Sequence, residues 1–136
     1  MGHRSRTVAA FLIDLALVAL FVAIGRASHR EDQAAFVVTF WPFAVGLAVG
    51  WIGARGWRRP FSVVRTGLLA WIGTVLIGML LRAVDDQGVQ VAFVVVASIV
   101  VGAFLLGWRL LLTALGRSST RTPDAPGPVG FLLRRR

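Results

Sequence analysis

Four long apolar blocks, separated by short polar segments, dominate the pattern of the chain. A transmembrane helix takes about 20 residues, and the blocks predict helices at about 7–27, 34–54, 65–84 and 89–113. Their apolar residues run continuously, without amphipathic spacing, which is typical of helices surrounded by lipid. The pattern predicts an all-α polytopic membrane protein, with one four-helix transmembrane domain over residues 1–115.

The last segment, residues 116–136, has a different composition. Pro123, Pro126 and Pro128 do not fit a helix, so the segment is predicted to be a flexible, basic cytoplasmic tail. It ends in an apolar triplet followed by three arginines, and a segment of this kind can contact anionic lipid. An ordinary tail without a lipid-binding role is the simpler interpretation, and both stay open.

Composition supports a lipid-embedded chain. Of the 136 residues, 57% are hydrophobic and only 15% are charged, whereas soluble domains have about a quarter charged. The absence of cysteine excludes disulfides and thiolate metal sites. All fifteen basic residues are arginine, which suggests a GC-rich prokaryotic genome. The net charge of +9 does not indicate nucleic-acid binding, because the arginines flank apolar blocks.

The distribution of arginines predicts the orientation in the membrane. Four spans would place twelve arginines on one side and three on the other. The twelve are Arg4, Arg6, Arg55, Arg58, Arg59, Arg65, Arg109, Arg117, Arg121 and Arg134–Arg136; the three are Arg26, Arg30 and Arg82. Positively charged loops stay in the cytoplasm. We therefore expect a multi-pass protein of the prokaryotic plasma membrane with both termini cytoplasmic.

Asp14 is the one charged residue inside the first apolar block. It should lie roughly 10 Å below the membrane surface at about 1.5 Å per residue. A carboxylate at this depth needs a cationic partner or must be protonated. Arg109 approaches a similar depth from the same side, and Arg65 is the second candidate partner. A structural ion pair and a proton- or cation-handling site are both open, with the pair favoured.

Small residues predict close packing between helices. Gly46 and Gly50 have GxxxG spacing on the second helix, and Ser98 and Gly102 have the same spacing on the fourth. Pro42 should kink the second helix and free the carbonyl of residue 38, which a nearby hydroxyl such as that of Thr39 could satisfy.

A second group of charges lies on the predicted outer side. Arg26 and His29 follow the first helix, while Arg82 and Asp85 lie at the end of the third. A network of solvated loop charges is the simpler interpretation. The alternative is a cation or ligand site at the outer mouth, with His29 titrating near neutral pH.

Signatures of catalysis are scarce. The two histidines, His3 and His29, fall on opposite sides of the membrane, so no metal-ligand cluster forms. No second intramembrane carboxylate accompanies Asp14, and no nucleotide-binding motif occurs. We expect neither an enzyme nor a cofactor.

Several stretches resemble a known family. They are "IDLALVALFVAIGRASH", "FWPFAVGLAVGW", "GLLAWIGTVLIGMLLR" and "AFVVVASIVVGAFLLGWR". In this order they resemble small four-helix membrane proteins of actinobacteria and haloarchaea, catalogued as a domain of unknown function, DUF3054. The resemblance covers roughly residues 8–110. It marks Asp14, Gly25, Arg26, His29, Pro42, Gly46, Gly78, Arg82, Gly107, Trp108 and Arg109. It supports the architecture and implies no activity.

Two functions remain open from the sequence. The first is a structural or accessory subunit, stabilised by an Asp14–Arg109 pair, that forms a homo-oligomer or binds a larger membrane partner through its glycine faces. The second is a small oligomeric transporter or channel in which Asp14 binds a proton or cation.

Overall fold

The computed structural model describes residues 2–27 and 34–119. These residues form four α-helices: α1 (His3–Ala27), α2 (Ala34–Ala54), α3 (Leu68–Val84) and α4 (Val91–Ser119). A π-helical turn, Val63–Gly67, leads directly into α3. The described residues contain no strand. The predicted all-α class with four helices is therefore confirmed.

All four helical segments are long and apolar enough to cross a membrane, with mean hydropathies between 1.9 and 2.6. Large apolar side chains point outward on each of them. One example from each helix, in chain order, is Ile24 (54% exposed), Ile52 (64%), Leu76 (57%) and Ile99 (66%). An outer surface of this kind is stable in lipid, because hydrocarbon solvates such side chains as well as a protein core does. The chain is a multi-pass membrane protein.

Four helix ends differ from those expected. Helix α1 begins at His3, and α4 runs from Val91 to Ser119, so the first four residues of the expected flexible tail are helical. The rest of that tail lies outside the described residues. The third helix is preceded by a π-helical turn in which Ser62 Oγ accepts from the Arg65 N–H at 3.2 Å. An apolar block marks the part of a helix that lies in lipid, whereas polar residues can continue the helical backbone beyond it.

The helices form an up-down-up-down bundle. Each packs against its neighbours in sequence, and α4 closes the ring against α1. The first helix contributes Val18 and Phe21 to the core, where Phe21 meets Phe43 of α2 edge to face with ring centroids 5.6 Å apart. This arrangement brings the start of α1, the α2–α3 connection and the end of α4 to one end of the bundle. We call it the basic end, after its arginines.

Glycines bring α2 and α3 into backbone contact. A Cβ atom at Gly46 would lie 2.6 Å from the Gly73 carbonyl oxygen, and one at Gly50 would lie 2.5 Å from that of Leu69. A side chain at either position would force α2 and α3 apart, so both positions require glycine. The glycine face of α2 therefore packs inside the chain.

Ser98 and Gly102 create a similar close approach between α3 and α4. Trp71 of α3 lies against Gly102, where an added Cβ would come within 3.0 Å of the indole. The indole N–H donates to the Ser98 carbonyl at 2.9 Å. This small-residue face is also occupied by the chain itself.

Pro42 lies buried within α2 and removes the hydrogen bond that the Val38 carbonyl would otherwise accept. The Val38 carbonyl accepts instead from Gln87 Nε2 at 3.0 Å. The expectation that Thr39 satisfies this carbonyl is wrong, because the Thr39 hydroxyl donates to the Ala35 carbonyl at 3.1 Å. A side chain from the α3–α4 connection therefore stabilises the interrupted helix.

Candidate functional site: a buried carboxylate–arginine network

Asp14 lies in the inward-facing stripe of α1. This stripe repeats every three or four residues, the spacing of one helix face, and consists of Ala10, Asp14, Val18 and Phe21. All four are buried, and Asp14 is 0% exposed. The helix thus delivers a carboxylate to the interior of the bundle, where its hydrogen-bonding groups must come from other helices.

Arg109 of α4 is the cation that meets this carboxylate. Its Nη1 donates to Asp14 Oδ1 at 2.8 Å, and its Nη2 donates to Oδ2 at 2.6 Å. This two-pronged geometry is the strongest that an arginine makes with a carboxylate. Both side chains are 0% exposed, so the pair is fully enclosed.

Two tryptophans complete the hydrogen bonding of Asp14. The indole of Trp51 on α2 donates to Oδ2 at 2.8 Å, and the indole of Trp108 on α4 donates to Oδ1 at 2.8 Å. Each carboxylate oxygen therefore accepts two hydrogen bonds. Three helices are joined at this one side chain.

Two further N–H groups of Arg109 donate to backbone carbonyls. Nε donates to Pro60 at 3.1 Å, and Nη1 also donates to Leu105 at 2.9 Å. The guanidinium carbon lies 4.5 Å from the Trp108 ring centroid, a distance at which the ring face attracts a cation. Gly67 in the π-helical turn leaves room for the side chain, because a Cβ there would lie 3.2 Å from Arg109 Cδ.

The end of α2 positions Trp51. The Gly56 N–H donates to the Trp51 carbonyl at 2.9 Å, and the Arg55 N–H donates to the Ile52 carbonyl at 3.1 Å. Arg55 has φ 51°, so the pair of bonds forms a Schellman motif with a left-handed residue after the helix. The Trp51 ring also packs edge to face on Phe11, with centroids 5.3 Å apart. A side chain at Gly56 would overlap the indole.

The network has the chemistry of a closed ion pair. Four N–H groups point at the two oxygens of Asp14 and come from Trp51, Trp108 and the two terminal nitrogens of Arg109. Neither Asp14 nor Arg109 reaches the surface. A buried pair with this many hydrogen bonds is costly to open.

Arg65 does not join this network. Its side chain is exposed in the middle of the π-helical turn, while Arg109 occupies the position beside Asp14. Sequence spacing placed both arginines at the correct end of the bundle. Only Arg109 lies on the inward-facing surface of its helix.

The expected outer-mouth cluster has a different structure at the opposite end. Arg26 is buried, and its Nη1 donates to the Ala35 carbonyl at 2.9 Å and to the Thr39 hydroxyl at 3.0 Å. It thereby connects α1 to the start of α2. His29 lies outside the described residues.

Arg82 and Asp85 are connected through Gln87. Arg82 Nη1 donates to Gln87 Oε1 at 3.1 Å, and Gln87 Nε2 donates to Asp85 Oδ2 at 2.7 Å. The Arg82 guanidinium also lies 4.9 Å from the Phe93 ring centroid. Within the described ranges, no group of three His, Cys, Asp or Glu residues could hold a metal ion.

Sequence reasoning from residue types missed Trp51, Gly56 and Gly67. The available signal was the indole N–H, which needs an acceptor when it lies in an apolar environment. Asp14 is the one intramembrane carboxylate of the first block, so a tryptophan at similar depth on another helix had an evident partner.

The family to which the chain belongs follows from its sequence profile. The profile of a family described as "Protein of unknown function (DUF3054)" matches residues 11–112. The chain belongs to the DUF3054 family. The matched region of this DUF3054 protein contains both Asp14 and Arg109, as well as Trp51 and Trp108. No curated protein and no solved structure matches the chain.

Proposed function

We propose that this protein is a structural or accessory subunit of the prokaryotic plasma membrane, held in one conformation by the Asp14–Arg109 pair. In this proposal it is not an enzyme and moves no ion through Asp14. The observation that carries the proposal is the saturated carboxylate: Arg109, Trp51 and Trp108 use both of its oxygens.

A transport site needs an acceptor that exchanges its occupant. At Asp14 an incoming proton or cation would have to displace a two-pronged arginine, and breaking a buried pair costs about 3–5 kcal/mol. The displaced guanidinium would stay buried unless Arg109 also gave up its bonds to the Pro60 and Leu105 carbonyls. These costs favour a permanent pair over a working ion site.

Partner binding in this proposal uses the lipid-facing surface. Gly46 and Gly50 already pack against α3, and Gly102 packs against Trp71. A second copy or a larger membrane protein would therefore contact outward apolar side chains instead of the glycine faces. Purification in mild detergent, followed by native mass spectrometry, measures whether the chain forms such a complex.

Reconstitution into liposomes tests the exclusion of transport. We expect no proton or monovalent-cation flux above that of protein-free liposomes, with a pH-sensitive or potential-sensitive dye as the readout. The matched variants are Asp14→Asn in the network and Asp85→Asn on the exposed surface. A flux that Asp14→Asn abolishes and Asp85→Asn retains would establish the transport alternative.

The orientation is part of the same proposal. The basic end carries Arg6, Arg58, Arg59 and Arg65, so the positive-inside rule favours a cytoplasmic location for it. We expect a phosphatase fused to the C-terminus to be inactive and a cytoplasm-dependent fluorescent reporter to be active. The opposite pair of results would contradict this orientation.

A further inference from the structure

The basic end contains an open cleft between the start of α1 and the α2–α3 connection. Its volume is about 410 Å³, within the range of about 300–1,000 Å³ that small-molecule sites occupy. The lining includes His3, Arg6, Arg58, Arg59, Phe61 and Ser62. We call this feature the basic cleft.

The charge of the basic cleft is uncompensated by nearby acids in the part of the chain that the structure describes. Arg6, Arg58 and Arg59 are all exposed. Asp85 and Asp86 follow α3 at the opposite end, and Asp14 is enclosed by its own donors. Three guanidinium groups around one concave surface attract an anion, and arginine forks suit phosphate oxygens especially well.

Contacts to the bundle hold the walls of the cleft in place. The Thr66 hydroxyl donates to the Arg59 carbonyl at 2.6 Å, and Arg109 Nε donates to the Pro60 carbonyl at 3.1 Å. Phe61 packs edge to face on Trp108 with ring centroids 5.9 Å apart. An anion would therefore meet a loop whose backbone is already fixed, which lowers the entropy cost of binding.

The surroundings of the cleft favour a lipid as the source of the anion. Trp57 precedes Arg58 and is 47% exposed, as expected for a tryptophan at the membrane interface. Val8 and Val64 are 56% and 76% exposed at the same end of the bundle. Acyl chains can pack on exposed apolar side chains at this end, whereas a free anion gains nothing from them.

We infer that the basic cleft binds the phosphate group of an anionic phospholipid, with Arg6, Arg58 and Arg59 as its ligands. This site is separate from the tail, and it does not depend on the accessory role proposed above. The Asp14–Arg109 network contributes indirectly, because Arg109 fixes the Pro60 carbonyl in the cleft wall.

Native mass spectrometry of the full chain, released from micelles of known lipid content, tests this inference. The cleft variant is Arg58→Gln with Arg59→Gln, and the control is Arg55→Gln with Arg65→Gln, two exposed arginines outside the lining. Both double variants remove two positive charges. We expect phosphatidylglycerol to bind the wild-type chain and the control alike, and the cleft variant roughly 30-fold more weakly.

Three further arms distinguish the possible results. Phosphatidylcholine should bind weakly to all variants, and equal binding of both lipids would overturn the inference. If the control variant loses as much phosphatidylglycerol binding as the cleft variant, the attraction depends only on the total positive charge, and the inference is overturned. Inorganic phosphate that binds as tightly as phosphatidylglycerol would overturn the lipid source. Arg6→Gln leaves the α2–α3 connection intact and should weaken phosphatidylglycerol binding about fivefold. It serves as the cleft variant if the Arg58→Gln, Arg59→Gln double variant does not fold.

Discussion

Replacing Asp14 by asparagine is expected to lower the free energy of unfolding by about 3–5 kcal/mol. The change leaves the guanidinium of Arg109 buried at 0% exposure without its counter-charge. It also turns an amide N–H₂ toward groups that are themselves donors, including the Trp51 or Trp108 indole. Arg109→Gln should cost a similar amount, because it leaves the carboxylate buried without its cation. Unfolding in mixed detergent micelles, followed by circular dichroism, measures both changes.

The double variant distinguishes a true pair from two independent sites. We expect Asp14→Asn with Arg109→Gln to be no less stable than the worse single variant, which corresponds to a coupling of about 3–5 kcal/mol, the size of one single loss. The control residues for Asp86→Asn and Arg65→Gln are exposed, so each change should alter stability by less than about 0.5 kcal/mol. Losses that simply add in the double variant would show that the two side chains do not stabilise each other.

An apolar double variant tests the hydrogen bonds around the pair. Asp14→Leu with Arg109→Met removes both charges. It also removes the hydrogen-bond partners of three groups, the indole N–H groups of Trp51 and Trp108 and the carbonyl of Pro60. Each buried polar group left without a partner costs about 1–3 kcal/mol. We therefore expect this variant to be less stable than the Asn/Gln double variant. Equal stability would mean that the two charges alone account for the pair.

The sequence predicted the four helices because long apolar runs determine membrane-spanning segments directly. It also predicted which end of the bundle holds Asp14 and Arg109, since alternate helices run in opposite directions. The lengths and charges of the apolar blocks do not show how each helix is rotated about its own axis, and so do not show which of its faces points into the bundle. For this reason Arg65 and Arg109 were both candidates, although only Arg109 faces inward in the structure.

Other parts of the network depend on contacts between distant segments. Trp51 lies 37 positions from Asp14 along the chain and reaches it from the buried face of α2. The helix then ends in a Schellman motif with arginine at the left-handed position, where glycine is usual. The partner of the Val38 carbonyl was misassigned for the same reason. Gln87 lies 49 positions away along the chain, and local sequence favoured the nearer Thr39.

Replacing Gly73 by alanine is expected to destabilise the bundle by about 1–3 kcal/mol. The added methyl group would lie 2.7 Å from both the Gly46 carbonyl oxygen and the Gly50 Cα atom. Both are backbone atoms, so no side chain can rotate away and α2 must separate from α3. The same unfolding measurement in detergent gives the change in stability.

Gly53→Ala is the matched control for this change. It adds the same methyl group to α2, where no atom lies within 4 Å. Because alanine is the better helix former by about 0.5–1 kcal/mol, this variant should be neutral or more stable. The chain has no cysteine, so spin labels at the exposed Val45 and Ile72 report the separation of α2 and α3 directly. A greater separation in Gly73→Ala than in Gly53→Ala is the expected result, and identical distances and stabilities would contradict backbone contact at this crossing.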